Sequence, residues 1–408
     1  MSVPSPPPTN RAPLLRSALP IGLATVVITM AAFFRVPLLP DIGGELSMSA
    51  ADLGVLTTVF ALGRLVMDIP AGRLADRFGA THMMANSAML VALASFTLAL
   101  APVSLVAHLA AFVLGLGSAL TNTTGMTHFS STASAERRGA SVSIFAAGLL
   151  VGQAIGPTLG GLLASLSDWR VAEAAAGVLA VAAAGALVRF SRRTTGSGGR
   201  AAVQTQGMRA AAGRPAIPFR YRGLLYLVPF AMFASLGALS QTLIPIIGGD
   251  ELGLSSGAIG LALGVGGLFR LIGSIVGGQV ADRVSRKSAL VPGLLGSAFG
   301  VALLAIGSSM IFWLTSIMVM SVSSLGIGVA ATMLADLSHG SGVGRRLGPF
   351  RFAGDVGLVL SPVIVARVFE SFGTGAAVLP VAGILAATGL AVAFFLPETR
   401  WLEAGAHV

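Results

Sequence analysis

The stretch GRLVMDIPAGRLADRFG, Gly63 to Gly79, sets Arg64 and Asp68 four residues apart inside a run that is otherwise apolar. Arg351 and Asp355 repeat that spacing, and Arg270 stands in another apolar run with Ser274 four positions on. On a helix, residues four apart share a face, so each Arg–Asp couple has a local partner while Arg270 has none. A guanidinium stays charged and offers a planar fork to an oxyanion, whereas a carboxyl can take up or release a proton. The chemistry on offer is therefore ion pairing, anion contact and proton binding. His108, His128 and His339 show no metal-ligand spacing and cysteine is absent, so neither a metal, a cofactor nor thiol chemistry is expected. No nucleophile–base arrangement stands out either, which argues against an enzyme.

The surroundings decide what those charges mean. Of 408 residues, 54% are hydrophobic and 10% charged, against about a quarter charged in a soluble domain. Crossing a bilayer takes about 20 apolar residues per helix. Twelve runs qualify: 17–40, 51–72, 81–101, 105–125, 139–166 and 171–188, then 223–248, 258–278, 288–308, 311–334, 349–369 and 376–396. They are apolar on every side, which excludes the alternating strands of a membrane barrel. The expected fold class is an all-α membrane protein of twelve transmembrane helices in two six-helix bundles. A charge inside such a helix costs about 2.5 to 3.5 kcal/mol on insertion scales, so each should face protein or water and find a partner.

The net charge of +10 raises the question of nucleic acid, but its distribution answers otherwise. Arg11, Arg16, Arg73, Arg77, Arg137, Arg138, Arg283, Arg286, Lys287, Arg345 and Arg346 occupy the N-terminal tail and every second loop, while Asp41, Glu45, Asp250 and Glu251 occupy the alternate ones. That alternation predicts cytoplasmic termini and a cytoplasmic central loop in a multi-pass cell membrane protein, with anionic lipid headgroups as partners of the charge. The first run is too long for a secretory signal and is read as a retained helix. Between 189 and 222 lie eight arginines and no acid, a flexible basic linker. The expected organisation is a tail at 1–16, bundles at 17–188 and 223–396 joined by that linker, and a tail at 397–408, working as a monomer.

The halves are related. Arg64-Leu65 aligns with Arg270-Leu271, Gly72 with Gly278 and Ala75-Asp76-Arg77 with Ala281-Asp282-Arg283, and PDIGGELSMS from Pro40 echoes PIIGGDELGLS from Pro245. GRLADRFG at Gly72–Gly79 resembles the loop signature between helices two and three of the major facilitator superfamily, and GQVADRVSRK is a weaker copy after helix eight. GQAIGPTLGG at Gly152–Gly161 is similar to the helix-five signature of its exporters, LPETR at Leu396–Arg400 to a frequent ending of helix twelve, and DWR at Asp168–Arg170 to its helix-six opening. Ala80-Thr81 replaces the basic pair expected after Gly79, and Ala111 stands where helix four should carry an arginine.

The resemblance implies secondary transport of a small organic solute by alternating access, closest in motifs to drug/proton antiporter-like exporters, with protons or a counter-ion as second partner. It places Gly72, Asp76, Arg77, Asp282 and Arg283 in a latch, the two acids against the N-termini of helices eleven and five. Gly152, Gly156, Pro157, Gly160 and Gly161 would form a close, sliding helix contact with a bend. It also sets helices two and eleven face to face. At 1.5 Å per residue Arg64 and Asp68 lie about 12 and 6 Å from one end of helix two, and Asp355 about 10 Å from the matching end of helix eleven, with Arg351 nearer that end. Arg64 with Asp355 and Asp68 with Arg351 are then expected to bridge the halves as a gate, Asp68 and Asp355 being candidate proton carriers, or to be static pairs. Arg64, Arg270 and Gln241 are the candidate substrate contacts. The alternative is an anion transporter in which Arg64 and Arg270 clamp the anion; paired arginines on helices two and eight resemble the superfamily's nitrate transporters. Gln153, Asn122 and Thr124 are further candidate cavity residues.

Because the chain has no cysteine, topology is testable with single introduced ones. A cysteine replacing Arg200 should resist an impermeant thiol reagent in intact cells and react after lysis; labelling in intact cells would reverse the orientation.

Overall fold

The computed structural model describes residues 12–132, 138–194, 219–307, 309–326, 328–337 and 343–399. Among these residues it is wholly helical: α1 Ala12–Phe33, α2 Ala50–Phe78, α3 Ala80–Ala99, α4 Ser104–Thr132, α5 Arg138–Leu166 and α6 Trp169–Thr194 form one half. The other half holds α7 Phe219–Ser235, α8 Ser256–Arg283, α9 Arg286–Leu303, α10 Met310–Val322 and the run Val343–Phe395. That run is two helices meeting at Gly373 (φ 80°, ψ 179°), here α11 (343–372) and α12 (374–395). Ten spans are long and apolar enough to cross a membrane. The last covers both α11 and α12, and α9, which opens on Arg286 and Lys287, is not among the ten.

The ends of the helices follow local chemistry. Ser49 caps α2, accepting from Asp52 N at 3.2 Å while the Asp52 carboxylate accepts from Ser49 N at 3.0 Å, a complete capping box. Its repeat counterpart Ser255 caps α8 through Ala258 N. The signature at Gly72–Gly79 is not a loop: α2 continues through it to Phe78, and Gly79 at φ 87° turns the chain directly into α3. Only glycine adopts that backbone without strain. The linker bounds also shift, because α6 runs on to Thr194 and α7 begins at Phe219. Arginine is a good helix former, so the helix outlasts the apolar run that marks it in sequence. The rest of the linker at 195–218, with Arg200, lies outside the described residues, as do Arg11, Arg137, His339, Arg400 and residues 401–408.

Three helices break inside their spans. α1 gives way at Phe34–Arg35 to a 3-10 turn, Val36–Leu38, before helix resumes at Leu39–Glu45, a break that Pro37 and Pro40 account for. α7 widens into π-helix at Leu236–Leu243 and again at Ile247–Glu251. α10 passes through a 3-10 turn to a second segment, Val329–Leu337.

Each half has its own hydrophobic core, one running from Ile21 to Leu187 with Ile246 added, the other from Leu225 to Leu396. The halves touch along α2 with α11 and α5 with α8. Small residues make those contacts close. Space for a Cβ on Gly54 is taken by Ala366 and the Pro362 backbone, and on Gly267 by Ala154. Hydrogen bonds across the halves run from Ser256 to Asp41, from Ala51 N to Glu370, from Thr57 to Gln241 O, from Thr58 to Val359 O and from Thr158 to Gly260 O. Among the described residues, all such bonds lie toward the end carrying Asp41, Glu45, Asp250 and Glu251, the acidic end. Toward the opposite, basic end, where Arg351 and Phe352 are exposed, no hydrogen bond between the halves is found among the described residues. Among the described residues, the halves are joined at the acidic end and apart at the basic end.

Within the first half, Gly115 of α4 lies against the backbone of Phe60 and Arg64 on α2. Gly115→Leu should force the two helices apart, at about 1–3 kcal/mol, read as a lower melting temperature of the purified chain in detergent.

Candidate functional site

Between the halves lies a cavity of about 420 Å3 whose polar lining includes Arg64, Asp68, Ser118, Asn122, Gln153, Arg270, Ser274, Arg351 and Asp355. Phe33, Phe233, Leu236 and Phe350 supply apolar wall. The two arginines of the repeat thus reach one space. The close α2–α4 crossing at Gly115 brings Arg64 to Ser118 one turn on, and its Nη1 donates to Ser118 Oγ at 2.9 Å. Arg270 donates from Nη2 to Ser240 Oγ at 3.3 Å, a hydroxyl carried on the π-helical turn of α7. The Nε atoms of both arginines are buried without a partner.

The crossed ion pairs expected from helix depth are not formed. Neither Arg64–Asp355 nor Asp68–Arg351 is among the ion pairs of the described residues, which include Arg170–Glu45, Arg286–Asp282 and Arg286–Asp336. The Asp355 carboxyl instead faces that of Asp68, with Arg64 and Arg351 within electrostatic range. Asp68 Oδ1 is buried and accepts from no donor. The reason is the open basic end: Arg351 is exposed at the mouth of the cavity, and Arg64 is turned toward α4. Two carboxyls from different halves meet, and a proton between them would satisfy both.

Gln241 is 4% exposed and does not line this cavity. It borders a smaller void of about 40 Å3 shared with Arg270, Gln153 and Ser240. Its Oε1 is unpartnered, while its main-chain carbonyl takes the hydroxyl of Thr57 from the other half. Thr124 instead bonds back to Leu120 O within α4. The helix-five signature works on two sides. Gly152, Gly156 and Gly160 pack on α1 at Val26, Met30 and Phe34, whereas Pro157 and Gly161 meet Gly260 and Ser256 of α8 across the halves.

The latch residues are placed differently from expectation. Asp76 and Arg77 are exposed at the end of α2, and the Arg77 guanidinium lies 5.2 Å from the centre of the Phe78 ring. Among the described residues Asp76 meets no hydrogen-bond partner. Asp282 pairs with Arg286 one turn on instead of docking on α5. Arg286 also reaches Asp336 at 3.3 Å, and Thr399 Oγ1 donates to the same carboxylate at 2.8 Å. Glu398 accepts from Arg286 N and Lys287 N at 3.0 and 3.1 Å, so the LPETR acid caps the N-terminus of α9. With the basic end open, the loop acids face solvent or a neighbour in their own half.

Two charges not singled out from sequence become prominent in the structure, Arg35 and Glu173, both 1% exposed. Each is a lone ion in an apolar run, the same signal that picks out Arg270. Glu45, by contrast, sits at the acidic end and accepts from Arg170 Nε at 2.8 Å and from Trp169 Nε1.

An all-helical membrane chain in two repeated six-helix halves, joined at one end around a polar cavity, has the architecture of a solute transporter. Its sequence matches the Major Facilitator Superfamily over residues 21–256 and again over 225–404, and the chain belongs to that family. It is therefore a secondary transporter of a small solute with a coupling ion, not an enzyme. It is 26% identical over 367 residues to the tetracycline resistance protein, class C, of Escherichia coli, covering 87% of this chain and 90% of that protein. It is 30% identical over 162 residues to the multidrug resistance protein Stp of Mycobacterium tuberculosis (strain CDC 1551 / Oshkosh), a stretch that is 40% of this chain and 30% of Stp. The xylose transporter XylE from E. coli in an inward open conformation superposes with a TM-score of 0.72 at 15% identity, over 96% of this chain and 98% of XylE. An inward-facing, occupied bacterial homologue of the human lysosomal transporter Spinster gives 0.68 at 16% identity, over 96% of each chain. These two show the fold alone.

Arg286 and Asp336 have side chains only 9% and 5% exposed. Arg286→Ala should leave a buried carboxylate uncompensated and cost about 3–5 kcal/mol, visible as a fall in melting temperature that Arg286→Lys partly restores.

Proposed function

We propose that this transporter exports a small organic solute in exchange for protons, by alternating access, with Asp68 and Asp355 as the proton carriers. The carrying observation is that these two carboxyls, one from each half, face each other in the central cavity. Two like charges so close destabilise one another, and a single proton bound between them removes the repulsion and satisfies Asp68 Oδ1. Losing that proton adds a negative charge on the seam between the halves. Arg64 and Arg351 are the cations within range to receive it, and closing the basic end would bring them nearer. The gate expected from the sequence thus becomes the deprotonated, closed form of this open cluster. The basic end faces the cytoplasm in this reading, as the positive-inside pattern supports, so solute enters the cavity from that side. Both halves of the site come from one chain, and a monomer suffices. The tetracycline and multidrug resistance relatives support the direction of transport.

A second reading rests on Arg64 and Arg270. Both guanidinia line one cavity, one from each half, and each keeps a buried Nε without an acceptor. An anionic group on the solute would supply acceptors to both.

The decisive experiment is counterflow and pH-gradient-driven transport in proteoliposomes, against a panel of organic anions and lipophilic cations. Asp68→Asn and Asp355→Asn should each abolish gradient-driven accumulation while keeping solute exchange without a gradient. Gradient-driven accumulation at the wild-type level in both variants would overturn the proton role. Arg270→Lys should weaken transport of an anionic solute by about tenfold, ~1.4 kcal/mol, because the planar fork is lost while charge is kept. Unchanged kinetics would take Arg270 out of the substrate site.

A further inference from the structure

A second group of buried polar atoms lies in the first half, away from the cavity. Arg35 leaves Nε and Nη1 without an acceptor and Glu173 leaves Oε1 without a donor, and Ser95 Oγ lies within reach of the Glu173 carboxyl without completing a hydrogen bond of good geometry. Arg35 and Glu173 feel one another's charge, yet they do not form an ion pair. The guanidinium lies instead on the Phe60 ring, 4.4 Å from its centre.

An ionised carboxylate at this depth, with a guanidinium near by, would be drawn to its N–H groups, because neither charge has water to stabilise it. Their separation fits a neutral Glu173, with the π face of Phe60 stabilising the cation alone. No other charge competes for the carboxyl among the described residues. α3 brings Ser95 and α2 brings Phe60; Arg170, one turn earlier on α6, is bound to Glu45, and Arg64 is on Ser118.

Arg35 also stands at a joint. It occupies the break between α1 and the 3-10 turn at Val36, next to Phe34, whose backbone lies against Gly160 of α5. α5 in turn holds α8 through Pro157 and Gly161. On the other side, Phe60 precedes Arg64 by one turn of α2. Turning the guanidinium from Phe60 to Glu173 would therefore disturb both the contact that closes the acidic end and the helix that carries the cavity arginine.

We propose that Glu173 is a second proton-binding site, within the first bundle and separate from the Asp68–Asp355 pair, neutral while Arg35 rests on Phe60 and ionised when the guanidinium turns to it. The inference does not depend on which solute is carried or on the role of the cavity carboxyls.

Infrared difference spectroscopy of the purified full-length chain in lipid vesicles tests it directly. Wild type should show a protonated-carboxyl C=O band that disappears on raising the pH, absent in Glu173→Gln and kept in Asp68→Asn and Asp355→Asn. A titrating band that survives Glu173→Gln unchanged, or no such band in wild type, would overturn the proposal. Should Glu173→Gln fail to fold, Arg35→Gln gives an independent reading. Without the cation to favour the ionised form, the band should persist to a pH higher by on the order of one unit; an unshifted titration would also overturn it. Failure of the cavity proton reading would show separately, as no carboxyl band lost in Asp68→Asn or Asp355→Asn while the Glu173 band remains.

Discussion

The cost of an ion in a low-dielectric interior governs this molecule. Five charges lie deep in its helices, Arg35, Arg64, Arg270, Glu173 and Asp355, with Asp68 near by, and none of them is settled by a simple ion pair among the described residues. Arg64 and Arg270 each use one hydroxyl and open space, Arg35 uses an aromatic face, and the aspartates use each other. Such half-satisfied groups would be a defect in a structural core. They are tolerable where water, a solute or a proton completes them. The cavity lies where Arg64, Arg270, Asp68 and Asp355 converge between two separate apolar cores, whereas Arg35 and Glu173 are enclosed within the first half.

That division leaves the contact between halves to small residues and a few hydrogen bonds. Gly54, Gly161, Gly260 and Gly267 bring helix backbones together at the acidic end. A net hydrogen bond is worth about 0.5–1.5 kcal/mol, so a handful can hold one state without locking it. The helix-five signature gains a physical sense here: three of its glycines bind α5 firmly to α1 of its own half, while Pro157 and Gly161 present a smooth ridge to α8. The halves thus meet along α5–α8 and α2–α11, while α5 is packed on α1 of its own half.

Much of this was legible in sequence because hydrophobic length and charge type are local properties. The two sets of six helices and the repeat follow from where polar residues interrupt apolar runs, whereas the approach of Arg64 and Asp68 to Arg351 and Asp355 was implied only by the family resemblance, which sets helices two and eleven face to face. What was not legible depends on conformation. Helix depth sets Asp355 near Arg64 correctly, but pairing them presumes a closed basic end, whereas the open structure sets two acids face to face. Gln241 lies behind the cavity wall on a stretch of α7 that is π-helical, a change of pitch that periodicity does not announce. The extension of α2 through Gly72–Gly79 was hidden because the family motif occupies a helix end that charge makes resemble a loop. Arg35 and Glu173 carried the right signal but no i, i+4 partner, and only the fold brings them together.

The repeat also shows where the two halves differ. In the second half, Arg286 ties Asp282 to Asp336, Thr399 adds α12, and Glu398 caps α9, so the basic end of that bundle is cross-braced. The first half has Ala80-Thr81 where Arg286-Lys287 stand, and Asp76 is left in solvent. An acid already bound within its own bundle loses that partner if it docks elsewhere, whereas a solvated one gives up only water. Of the two copies, Asp282 is the one paired within its own bundle and Asp76 the one left exposed. The sequence difference at two positions thus makes the second copy of the motif a brace, because Ala80 cannot supply the pairing that Arg286 gives Asp282 and Asp336.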